Sequence, residues 1–112
     1  MEKFKKLFEA LGADDKATVA AFKKEFSRSK ISAKMDRSLV ITIKDERNRR
    51  IPNAGKVERV LDSVGCKVKF GSREQTGKKV WQDGDITGCD KTYVSITYTD
   101  TAKFDVTTIK IR

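Results

Sequence analysis

The sequence predicts an α+β fold: a helical hairpin, then a β-α-β unit and an antiparallel β-meander, forming one twisted sheet with its helices on one face. Three observations predict it. Apolar residues repeat at helical spacing at the front of the chain, and the period changes to two from Leu39 onward except for one short helical block. Turn residues then punctuate a succession of short alternating runs. Finally, 112 residues provide one core and one domain, burying roughly 65% of the unfolded surface.

Phe4, Leu7, Phe8 and Leu11 fall at i, i+3, i+4 and i+7, one stripe of an amphipathic helix. Gly12 supplies a left-handed residue to end it. Asp14 or Asp15 then caps a second helix carrying Val19, Phe22 and Phe26, so residues 1–28 read as the helical hairpin. Ser27 to Arg37 holds little apolar content beyond Ile31 and Met35 and reads as a basic connector. Sheet structure is expected over 38–112, with one helix at 54–64.

Leu39, Ile41 and Ile43 alternate on one face of a strand. Asp45 to Asn53 reads as a polar loop in which Pro52 keeps Ile51 extended. Asn53 is the expected cap of the helix with Val57, Val60, Leu61 and Val64, which Gly65 closes. Cys66, Val68 and Phe70 alternate again, and Cys66 reads most simply as a small buried apolar residue. A bridge to Cys89, the other cysteine, is open to the chain but not indicated by it. Asp83-Gly84 reads as a two-residue hairpin turn between Lys79–Gln82 and Asp85–Thr87. Tyr93 to Tyr98 and Phe104 to Ile111 flank a turn at 99–103, and a change of apolar parity between Val106 and Ile109 suggests a bulge.

Chemistry is bounded by what is missing. The chain has no histidine, which removes Ser-His and Cys-His nucleophiles and the commonest metal ligand. Gly71 to Lys79 resembles a phosphate-cradling loop, but the glycine spacing is one residue too long and Lys79 stands where a Ser or Thr should bind Mg²⁺. The plain reading is a hairpin loop. Asp83, Asp85 and Asp90 echo a calcium loop or a magnesium site, yet Val94 replaces the bidentate Glu and no base is paired with them. Lys91 to Tyr98 loosely echoes the aromatic strand of an RNA-recognition sheet, without its glycines and with Ser95 in place of a stacking ring. No catalytic residue, metal or cofactor is expected.

The positive signal is charge. Lys and Arg total 25 against 16 Asp and Glu, a net +9, which favours polyanions. Residues 23–59 hold twelve of the cations (Lys23, Lys24, Arg28, Lys30, Lys34, Arg37, Lys44, Arg47, Arg49, Arg50, Lys56, Arg59) and five acids, +7 of the total. Arg47, Arg49 and Arg50 sit together on a loop where guanidinium groups reach phosphates in paired geometry. The expected function is therefore a non-enzymatic nucleic-acid-binding module, DNA or RNA, largely sequence-independent. Arg47, Arg49 and Arg50 lead, followed by Arg28, Lys30, Lys34 and Arg37, with Lys56 and Arg59 on the helix that follows.

The alternative is a small protein-binding factor (an inhibitor, adaptor or viral or virion accessory protein) docking on an acidic partner. An exposed edge at Phe104–Ile111 would favour it, and a covered one would favour the charge reading. No apolar run approaches a membrane span and the first residues hold no continuous apolar signal core, so a cytoplasmic protein without membrane association is expected.

Overall fold

The structure, a computed structural model, describes residues 13–46, 54–77, 79–101 and 103–112. The proposed first helix around Phe4 to Leu11, the arginine loop at 47–50 and the Asn53 cap lie outside them. The described chain runs α1 (Ala13–Glu25), β1 (Lys30–Asp36), β2 (Ser38–Glu46), α2 (Ala54–Ser63), β3 (Lys67–Phe70), β4 (Glu74–Thr76), β5 (Lys79–Thr87), β6 (Tyr93–Asp100) and β7 (Phe104–Ile111). All strands join one antiparallel sheet in the order β1-β2-β7-β6-β5-β3, with β4 pairing β5. The class is α+β, as the periodicities predict.

The core follows from strand alternation. Cross-strand partners Leu39 and Ile111, Ile41 and Ile109, and Ile96 and Ile109 put one apolar row after another on the same sheet face. Val19 and Phe22 of α1 and Val57, Val60 and Leu61 of α2 join them in one buried cluster. Both described helices therefore cover this face, and the opposite face carries the alternate residues of every strand. Helix α2 ends as its sequence demands. Cys66 N–H donates to the Leu61 carbonyl at 2.9 Å and Gly65 N–H to that of Asp62 at 3.0 Å. Gly65 takes φ 86°, the left-handed residue of a Schellman cap.

Four local expectations are corrected. The basic connector is in fact β1, an edge strand whose Ile31, Ala33 and Met35 oppose Ile43, Ile41 and Leu39; its small apolar content hid the alternation. Asp83-Gly84 is no turn: both residues lie inside β5, where Gly84 pairs with Val94 on one side and Phe70 on the other. β7 carries no bulge, since both of its registers run one to one. Its apparent parity change arises because buried Asp105 and Thr107 occupy core-side positions while Val106 lies on the other face. Asp15 is not a cap but lies in the first turn of α1, where Lys91 Nζ approaches its Oδ1 at 3.0 Å and the positive helix end favours the carboxylate.

Cys66 and Cys89 form a disulfide with Cα atoms 5.3 Å apart. It ties the end of α2 to the loop between β5 and β6, a pairing across 23 positions that sequence spacing left open.

Candidate nucleic-acid interface

The face of the sheet away from the two described helices is built in rows, because each register aligns side chains of equal parity across the strands. One row reads Lys34, Val40, Lys110, Ser95 and Asp83. The next reads Ser32, Thr42, Thr108, Thr97, Trp81 and Glu74. Beyond it lie Lys30, Lys44, Val106, Thr99, Lys79 and Thr76. A file of hydroxyls thus crosses the sheet between two lysine-bearing rows and ends at Trp81, which is 36% exposed.

The charge of this face is lopsided. Described cations on it are Lys30, Lys34, Lys44, Lys67, Lys69, Lys79, Lys110 and Arg112, against the acids Asp36, Glu74, Asp83 and Asp85. Among the described residues, no carboxylate lies within ion-pairing distance of Lys30, Lys34, Lys44, Lys79 or Lys110. Lys30 and Lys44 are direct cross-strand partners, a like-charge pairing that works against sheet stability. Local neutralisation therefore does not explain these lysines.

At one end the face hollows into a concavity of about 490 Å³ lined by Asp36, Arg37, Ser38, Tyr93, Ser95, Lys110 and Arg112. Three cations and the Ser95 hydroxyl in one concavity provide charge-assisted and neutral donors to an oxyanion, with one carboxylate opposing them, while Ser38 Oγ donates to the Asp36 carbonyl at 3.5 Å. Arg37 forms the apex of the β1–β2 hairpin at φ 60°, a left-handed conformation that costs a side-chain-bearing residue energy. Arg112 places its guanidinium 4.8 Å from the Tyr93 ring centroid, and Tyr93 Oη donates to Asp83 Oδ2 at 2.8 Å. Partial burial, then the Asp83 hydrogen bond and charge, push the Tyr93 phenol above its ordinary pKa, with Arg112 opposing them.

A second concavity of about 450 Å³ on the same face is lined by Glu74, Thr76, Lys79, Trp81 and Thr97. Ser95 of the first and Thr97 of the second are two residues apart on one face of β6, roughly 7 Å at the rise of a strand.

The residues proposed from sequence are distributed by the fold. Lys30 and Lys34 stand on the open face and Arg37 at its rim. Arg28 lies exposed in the turn between α1 and β1. Lys56 and Arg59 belong to the helical layer: Lys56 Nζ sits 5.7 Å from the Phe26 ring centroid and Arg59 pairs with Glu25 at 3.3 Å. Those two tie α2 to the region of α1 and do not share the sheet's open face, so the basic tract is not one surface. Arg47, Arg49 and Arg50 fall outside the described residues. Sequence reasoning missed Lys110, Arg112, Lys79 and Trp81, whose place on this face comes from register between strands distant in sequence.

Among the described residues no three Asp, Glu, Cys or His side chains, Asp83, Asp85 and Asp90 included, converge as metal ligands would. The expected loop at Gly71 to Lys79 falls on the β4–β5 hairpin, in which Thr76 pairs with Lys79 and Gly77 takes φ 60°. No described helix is long and apolar enough to cross a membrane. No protein-family model matches the sequence, and no curated protein or solved structure matches it either.

Proposed function

We propose that this domain is a non-enzymatic nucleic-acid-binding module that holds phosphates on the open face of its sheet, largely without regard to sequence. The observation that carries the reading is the concavity where Arg37, Lys110 and Arg112 meet the hydroxyl of Ser95, on a face with more cations than acids. The arrangement of β7 adds support: it lies between β2 and β6, so the strand whose exposure would have favoured docking by strand addition is covered. Affinity drawn from phosphates falls steeply with salt, because each contact releases condensed counterions. Base reading by a groove-inserted helix is not part of the proposal, since both described helices pack against the opposite face.

Fluorescence polarisation with labelled single-stranded DNA, RNA and duplex DNA over a salt series tests it. Micromolar or tighter binding with log affinity linear in log salt is the expected result, and Arg37→Ala with Lys110→Ala should weaken it at least tenfold. Absence of binding to all three at low salt overturns the proposal.

A second reading, docking on an acidic protein, is favoured by β1. Among the described strands it lies at the edge of the sheet, and its Met35 is 49% exposed. Pull-down with wild-type protein and a Met35→Lys variant separates this from the first reading.

A further inference from the structure

We infer that the open face takes single-stranded nucleic acid in preference to duplex, with the indole of Trp81 as the platform on which a base stacks. The inference rests on the nucleic-acid reading above and deepens it by naming the substrate class. Trp81 is part-exposed on the sheet face, at the end of the Ser32, Thr42, Thr108 and Thr97 row. The ring stands in a hydroxyl row outside the core cluster, and bases splayed from a single strand stack on such rings.

The two concavities divide the work. Arg37, Lys110 and Arg112 attract a phosphate in one. The other holds one acid and one cation, Glu74 and Lys79, without the cationic excess of the first; Glu74 accepts hydrogen bonds from a base's amino group, so the Trp81 hollow suits the base. Ser95 of the first and Thr97 of the second stand on the same face of β6, so one strand of nucleic acid can run from the phosphate subsite to the base subsite. Tyr93, which the sequence also marks as an aromatic on this face, is committed elsewhere: Arg112 lies over its ring and Asp83 accepts from its hydroxyl. A duplex keeps its bases stacked inside, so it can use the lysines but not the indole.

Trp81 is the chain's single tryptophan, so its intrinsic fluorescence reports this site and no other. The experiment titrates the protein with a mixed-sequence single-stranded DNA oligonucleotide and with its duplex, following tryptophan emission and, in parallel, polarisation of a label on the DNA. Expected are saturable quenching by the single strand at the same midpoint as polarisation, and weaker duplex binding with little quenching. Trp81→Ala should lose about tenfold or more in single-strand affinity while Trp81→Phe keeps most of it, both variants retaining the wild-type circular dichroism spectrum and melting temperature within a few degrees. Single-strand binding by polarisation with unchanged emission and an unaffected Trp81→Ala variant overturns the stacking platform and leaves the nucleic-acid module standing. Duplex bound as tightly as single strand overturns the substrate class. No polarisation change with either DNA removes the underlying reading, and this inference with it.

Discussion

Gly84 is buried where β5 pairs with Phe70 of β3, and a Cβ placed there would lie 2.6 Å from the Lys69 carbonyl oxygen and 3.0 Å from Phe70 Cα. Both obstacles are backbone, so a side chain forces the strands apart. Gly84→Ala should destabilise the domain by about 1–3 kcal/mol, read as a lower urea midpoint at unchanged m-value. Tyr93 offers a second test. Its phenol is held above the ordinary tyrosine pKa by partial burial first and by Asp83 next. The folded state therefore keeps that proton to higher pH than the unfolded chain does. The resulting stability is fully present below the unfolded tyrosine pKa near 10 and is lost as pH rises through the folded value. Ultraviolet titration should show the Tyr93 phenol ionising late, and Asp83→Asn should bring it back toward the ordinary range. An unshifted titration in wild type would show that the Asp83 contact does not form in solution.

At the scale of elements, some of the chain is legible and some is not, and the difference is physical. Leu39, Ile41 and Ile43 announce β2 because large β-branched and aliphatic residues recur at every second position. Val57, Val60 and Leu61 announce α2 in the same way, and Gly65 announces its end. β1 is hidden because an edge strand with one solvent face needs few apolar residues, and Ser32, Lys34 and Asp36 dilute the three it has. β7 misleads because Asp105 and Thr107 stand where apolar residues are expected. The Asp83-Gly84 pair has the composition of a turn but the glycine answers to a neighbouring strand. The Cys66–Cys89 bridge belongs at this scale too, since it joins α2 and β3 to the β5–β6 loop. From its 23-residue separation, chain-entropy reasoning assigns it about 3 kcal/mol. Thermal melts with and without a thiol reductant should differ accordingly, and identical melts would mean that the bridge does not form or constrains nothing. Such bridges are rare in a reducing cytosol, which weighs against the cytoplasmic expectation.

For the molecule as a whole, the charge surplus was legible but its geography was not. The tract at 23–59 contributes Lys30, Lys34, Arg37 and Lys44 to the sheet side, whereas Lys56 and Arg59 go to the helical layer. Lys79, Lys110 and Arg112 arrive from the far end of the sequence. Only cross-strand register assembles that set, and periodicity within a strand holds no information on which strand lies next to it. If the open face carries phosphates, removing Lys34 and Lys110 together should reduce the slope of log affinity against log salt by roughly 1.4 for a single strand, two contacts at about 0.7 each. Lys56→Ala should leave that slope unchanged. Equal slopes in wild type and the Lys34/Lys110 double variant would place the contacts elsewhere.

The central position of β7 also governs how the domain acquires its shape. β2 must wait for a partner that follows four intervening strands, with Leu39 meeting Ile111 and Glu46 meeting Phe104. Until that insertion, β2 and β6 both present bare, strongly apolar edges, Leu39 to Ile43 on one and Val94 to Tyr98 on the other. Pairings so distant in sequence close slowly, and edges left open meanwhile invite another chain to occupy the gap. Refolding should therefore lose yield as protein concentration rises. Dilution should restore it, with the net positive charge acting as the brake on association while the gap is unfilled.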